Sequence, residues 1–113
     1  MKPAILNFDD QVRGNSFDEV SVFIKENGIP VDLTNCKVKM QIKEDANSER
    51  FLKSLSETSG IDILPGGELK IKTFRIDMKK GKHVYDLVVQ FPNNAVVTYF
   101  AGQFPVLQNV SDI

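Results

Sequence analysis

The feature that most constrains the fold is a period-two pattern in the last third of the chain. Apolar side chains recur at every second position there, at Tyr85, Leu87, Val89 and Phe91. Successive side chains alternate across a strand, so this spacing places the four on one face. Asn93-Asn94 then favours a turn, because asparagine tolerates positive φ better than most residues. Residues 82–106 are therefore predicted to form a hairpin of two long strands.

The returning strand of this hairpin contains a glycine that interrupts its alternation. Gly102 predicts a bulge or bend at that point. Phe104 and Val106 are expected to continue on the inward face.

Earlier segments alternate in the same way. Residues 36–42 place Cys36, Val38, Met40 and Ile42 on one face, and residues 17–25 place Val20, Val22 and Ile24 together. Asn27-Gly28 between them predicts a turn, and Pro30 predicts an edge position or crossover because proline cannot donate to a ladder.

The middle of the chain has weaker signals. Residues 61–72 predict a hairpin around Pro65-Gly66-Gly67. Residues 51–55 fit a short strand or one helical turn, and the strand agrees better with their neighbours. Phe74 and Met78, four residues apart, suit a short helical turn that ends at Gly81.

These segments together indicate an all-β chain. Seven to eight short strands, with turn signals every eight to twelve residues or so, are typical of an immunoglobulin-like antiparallel β-sandwich. At most one short helical turn is expected, near residues 74–80. We interpret residues 1–113 as one domain, with residues 1–12 and 107–113 as candidate strand arms.

Composition excludes several classes. With a net charge of −1 and 42% hydrophobic residues, the chain is not expected to be disordered or to bind nucleic acid. Residues 70–113 carry a net charge of +3 and residues 1–69 a net charge of −4, which is typical of two differently charged solvated faces and could also favour head-to-tail contact between copies. No signal peptide or membrane span is predicted, so synthesis in a cytoplasm without secretion is expected.

The residues that could carry chemistry lack the partners that chemistry needs. His83 is the single histidine and is interpreted as a half-exposed packing residue. Cys36 is interpreted as a small buried core thiol, since no neighbouring base is evident. Residues 44–49 are acidic but lack the glycine and the length of a calcium loop. We therefore predict no catalytic residue, no metal site and no cofactor.

Some apolar side chains fall on the faces predicted to point outward. An outward aromatic side chain beside β-branched neighbours often marks a partner surface. The candidate interaction surface consists of Phe23, Val88, Val96 and Phe100. The alternative is that one of these faces is misassigned and packs inside the sandwich.

Three segments occur in an order that resembles a known family. They are Gly28-Ile29-Pro30-Val31-Asp32-Leu33-Thr34, then Gly81-Lys82-His83-Val84-Tyr85-Asp86-Leu87, then Gly102-Gln103-Phe104-Pro105-Val106. The chain resembles, over residues 13–107, the small immunoglobulin-like modules of tailed bacteriophages and prophages, including the N-terminal domain of baseplate upper proteins. His83 stands where that family pattern has a tyrosine.

The resemblance implies a structural protein of the virion and no enzymatic activity. Its partners would be other tail, neck or baseplate proteins, in an oligomer such as a homo-oligomeric ring, and neither nucleic acid nor membrane is expected. The alternative function is a non-catalytic module that binds carbohydrate or a cell surface.

Overall fold

The computed structural model describes residues 2–111, and the described part of the chain is built from strands and contains no helix. It therefore contains no helix long and apolar enough to cross a membrane. Its strands, in chain order, are β1 (Ala4–Ile5), β2 (Gln11–Val12), β3 (Ser16–Phe17), β4 (Val20–Phe23), β5 (Lys25–Glu26), β6 (Ile29–Pro30), β7 (Lys37–Lys43), β8 (Lys53–Ser56), β9 (Ile61–Leu64), β10 (Glu68–Ile71), β11 (Phe74–Arg75), β12 (Gly81–Gln90) and β13 (Val96–Leu107).

The all-β prediction is confirmed, and the strands divide between two main sheets. The larger sheet has the order β1-β13-β12-β7-β8, with β2 also paired to β13, and the smaller has the order β4-β10-β9. Strands that are consecutive in sequence, such as β9 and β10 or β12 and β13, form hairpins. This division of strands is that of a β-sandwich, and β12 is the central strand of the larger sheet.

The core lies between the two sheets. Val38, Met40 and Ile42 of β7 are buried, as the alternation predicted, and Tyr85, Leu87 and Val89 of β12 lie beside them. The smaller sheet contributes Val22, Ile61, Leu69 and Ile71 to the same cluster of buried side chains. At one side of this core the rings of Phe8, Phe17, Phe74, Tyr85 and Phe104 pack together, with neighbouring centroids 4.9–6.5 Å apart.

The predicted hairpin of residues 82–106 is present, but its bulge is not at Gly102. The register shifts where Leu87 pairs with Phe100 and Val88 pairs with Thr98, so Tyr99 is the extra residue of β13. One extra residue reverses the faces of all residues after it. Val97 and Tyr99 therefore point inward before the bulge, and Phe100, Phe104 and Val106 point inward after it.

Gly102 instead lies against the N-terminal segment. A Cβ atom at this position would lie 2.3 Å from the carbonyl oxygen of Leu6. The glycine is needed because the backbone of residues 4–8 runs this close to β13.

The N-terminal candidate arm pairs with its own chain. β1 and β2 are parallel to β13, so the sandwich is not purely antiparallel as predicted. At the other terminus, β13 extends to Leu107, and the predicted arm of residues 107–113 includes positions 112 and 113, which lie outside the described residues.

The middle of the chain contains one wrong prediction. Residues 74–80 form no helical turn, because Phe74 and Arg75 pair as β11 with Phe17 and Ser16 of β3. Residues 53–56 form β8, which agrees with the preference for a strand near residues 51–55. The described part of the chain has more strands than the seven to eight predicted because several pairings, such as β5 with β6, are only two residues long.

Candidate functional site

The four residues of the predicted interaction surface occupy three different environments. Phe23 is 54% exposed on β4 and Val96 is 62% exposed at the start of β13. Val88 is partly buried on the outer face of β12, between Thr98 and Lys39 of the neighbouring strands. Phe100 is partly buried and packs against the core.

The prediction that Phe100 points outward is wrong. Without a bulge, alternation from Val96 and Thr98 would place Phe100 on the outer face. Because Tyr99 is bulged, Phe100 pairs with the buried Leu87 and shares its face. The predicted surface also spans both sheets, since Phe23 belongs to the smaller sheet and the other three residues belong to the larger one.

Two of the predicted residues lie at the same end of the sandwich. In the smaller sheet Phe23 pairs with Glu68, the first residue of β10. In the larger sheet Val96 pairs with Gln90, which in turn pairs with Lys37 at the start of β7. The segment of residues 24–36 connects these two strand ends.

Hydrogen bonds from that connecting segment join it to both sheets. The amide of Ile24 donates to the Gly67 carbonyl at 2.7 Å, next to the start of β10. The hydroxyl of Tyr99 in β13 donates to Glu26 Oε1 at 3.0 Å. The two strand ends therefore belong to one end of the molecule.

A third exposed apolar residue lies at this end. Ile29 is 68% exposed beside the tight turn at Asn27 and Gly28, both of which have positive φ. Phe23, Ile29 and Val96 are here named the apolar tip. Ile29 was absent from the sequence-based surface, although its position directly after an Asn-Gly turn is a signal of exposure.

The loop behind the apolar tip is held by its own side chains. Asp32 Oδ1 accepts hydrogen bonds from the amide of Thr34 at 3.0 Å and from its hydroxyl at 2.6 Å. These two bonds lower the pKa of Asp32, because they stabilise its charged form. The Asp-Leu-Thr motif therefore forms an Asx-type turn, which is a structural role.

Both tyrosines are buried and each donates a hydrogen bond. Burial raises the pKa of Tyr85 to about 12, and its hydroxyl donates to the Leu6 carbonyl at 2.6 Å. Burial, and then the hydrogen bond to Glu26, raise the pKa of Tyr99 to about 12. Tyr85 thus attaches the N-terminal segment to β12, and Tyr99 attaches the β5–β6 hairpin to β13.

His83 is fully buried, so the prediction of a half-exposed residue is wrong. Its exposed fraction is 1%, and its side chain lies on the inward face of β12, where it pairs with Phe104. Nε2 lies 2.6 Å from the carbonyl oxygen of Lys79 and bonds to it, whereas Nδ1 is buried with no hydrogen-bond partner. This contact fixes the bend before β12, a structural role in agreement with the sequence interpretation.

Cys36 is buried next to the start of β7, as its alternation predicted. Burial, followed by the nearby charge of Asp32, raises the pKa of its thiol. Both effects disfavour the thiolate, which is the reactive form of cysteine.

Two residues of the acidic stretch 44–49 form contacts within the chain. Glu44 forms an ion pair with Lys79, and Asp45 Oδ1 accepts a hydrogen bond from the amide of Asn47 at 2.9 Å. Within residues 2–111, no group of three or more His, Cys, Asp or Glu side chains is placed to hold a metal ion.

No protein-family model matches the chain, and no curated protein matches it in sequence.

Proposed function

We propose that this chain is a non-catalytic structural module of a phage or prophage particle, in its tail, neck or baseplate, and that it docks to other virion subunits through the apolar tip. The observation that carries the proposal is the exposure of Phe23, Ile29 and Val96, which lie at or beside the strand ends that hydrogen bonds of residues 24–36 join. Large apolar side chains that are held by strands and tight turns provide anchors for a partner at little entropic cost.

The motifs behind the resemblance to phage modules support this proposal through their positions in the fold. Asp32 and Thr34 form the turn behind the apolar tip. Tyr85 and Gly102 both contact Leu6, and so hold the N-terminal segment on the larger sheet. The motifs thus define how the strands are assembled, as expected for a module whose task is to hold its shape between neighbours.

The carbohydrate-binding alternative has less support from the exposed side chains. Sugar platforms favour Trp and Tyr, whose polar groups contact the ligand together with the ring. The sequence contains no Trp, and both tyrosines are buried and engaged in hydrogen bonds within the chain.

The proposal is tested by counting copies of the chain in purified particles. Particles are produced from the bacterial strain that carries the gene, and the chain is quantified in them by mass spectrometry. We expect a fixed number of copies per particle for the wild type, and at least a tenfold loss for Phe23→Ser combined with Val96→Ser, because each removes an anchor.

The matched control is Phe51→Ser, which changes a similarly exposed phenylalanine, 53% accessible, in the loop between β7 and β8. It should leave the copy number unchanged. Particles that are complete and infectious but lack the chain would refute the proposal.

A further inference from the structure

The N-terminal segment pairs with β13 in two different registers. Ile5 lies opposite Ala101, whereas Gln11 lies opposite Val106. The segment thus advances six residues over a distance in which β13 advances five. One residue of the segment has no counterpart on β13, so the backbone must buckle between β1 and β2.

The extra residue lies at Asp9-Asp10. The first register still holds at Phe8, because the Phe8 amide donates to the Gln103 carbonyl at 3.0 Å, two residues on from the bond between the Leu6 amide and the Ala101 carbonyl. Beside it, Asn7 Oδ1 accepts from the Gln103 amide at 2.9 Å. Asp9 and Asp10 are exposed and belong to neither strand. These two residues are therefore the part of the segment that neither register holds.

The surface under residues 4–8 is built to receive a strand. The Leu6 amide donates to the Ala101 carbonyl at 3.0 Å, and the Tyr85 hydroxyl donates to the Leu6 carbonyl at 2.6 Å. Gly102 leaves the space for this approach. The Phe8 ring packs against Phe17, Tyr85 and Phe104, with centroids 5.0–5.6 Å away. The same segment of a second copy could form every one of these contacts.

We propose that residues 2–8 exchange between two copies of this chain, with Asp9-Asp10 as the hinge. In the exchanged dimer the segment of each copy lies along β13 of the other, and the interface is isologous. The contacts of residues 4–8 are the same in both forms, so what opposes the dimer is the loss of translational freedom, which a higher protein concentration offsets. This inference does not depend on the proposed function.

The test uses an engineered disulfide across the first register. Ile5→Cys and Ala101→Cys are introduced into a Cys36→Ala background, since Ile5 and Ala101 lie opposite each other. The protein is refolded over a range of concentrations and oxidised. Exchange predicts a disulfide between chains and a covalent dimer of twice 12.7 kDa whose share rises with concentration. A disulfide within one chain at every concentration would overturn the proposal.

A second test needs no engineered cysteine and measures the mass of the wild-type chain in solution. Its mass by light scattering after refolding at high concentration should include a dimer, and deletion of Asp9 should abolish that dimer, because β1 and β2 then share one register. A wild-type chain that stays monomeric throughout, or a dimer that survives the deletion unchanged, would overturn the proposal.

Discussion

At the scale of the residue, the buried tyrosine and histidine side chains have a structural role: each forms a hydrogen bond that connects two parts of the fold. Tyr85 bonds to the Leu6 carbonyl, Tyr99 to Glu26, and His83 to the Lys79 carbonyl. Each contact joins elements that are far apart in the sequence or fixes a bend. None of these partners can be deduced from spacing along the chain, since sequence periodicity predicts a face but not the group across from it.

Alkaline pH should destabilise the protein through its two tyrosines. Both have a pKa of about 12 in the folded chain and close to 10 in the unfolded chain, so their contribution is complete below pH 10 and is lost as the pH rises from 10 towards 12. The urea midpoint should therefore fall above pH 10. The variant with Tyr85→Phe and Tyr99→Phe should show a shallower fall, and equal slopes would contradict this account.

Gly102→Ala should displace the N-terminal segment. The new methyl group would meet the Leu6 carbonyl, so we expect a loss of roughly 1–3 kcal/mol in the free energy of unfolding, as for other overpacked sites. Limited proteolysis should show faster cleavage within residues 4–8. Gly66→Ala is the control for a loss of stability elsewhere in the fold. Its Cβ would have no neighbour within 4 Å, but its φ of +81° strains the backbone, so it should leave cleavage within residues 4–8 unchanged. Unchanged cleavage in Gly102→Ala would contradict the prediction.

At the scale of the element, alternation identified the long strands but not their irregularities. The burial of Val38, Met40 and Ile42 followed directly from period two. The bulge at Tyr99 did not, because an extra residue is visible only when two strands are aligned, and this displaced Phe100 from the predicted surface. The β11–β3 pairing stands where the spacing of Phe74 and Met78 suggested a helical turn. That spacing describes a single segment and does not show whether a partner strand lies beside it.

The N-terminal segment is packed against the sandwich mainly through the ring of Phe8. Phe8→Ala should lower the free energy of unfolding by about 2 kcal/mol, less than the 3–5 kcal/mol of a fully buried phenylalanine, because Phe8 is partly buried. Hydrogen exchange at Leu6 and Phe8 should accelerate more than exchange in β7. Phe51→Ala is the matched control and should change stability by less than about 0.5 kcal/mol. Equal effects of the two substitutions would contradict the assigned role of Phe8.

At the scale of the whole molecule, the class of fold was easier to predict from the sequence than the set of apolar side chains that stay exposed on the surface. An all-β sandwich follows from strand count and turn spacing. Which apolar residues stay exposed depends on bulges, on the path of the loop at residues 24–36 and on the N-terminal segment, and these are tertiary properties. Phe23 and Val96 were found from the sequence, whereas Ile29 became a candidate only when the three were seen at one end.

The most direct test of the proposed docking is the number of copies of this chain in particles purified from the bacterial strain that carries the gene. We expect a constant copy number for the wild type and for Phe51→Ser, and a loss of at least tenfold when Phe23 and Val96 are both changed to serine. Intact, infectious particles without the chain, or particles that retain the double variant at the wild-type copy number, would contradict it.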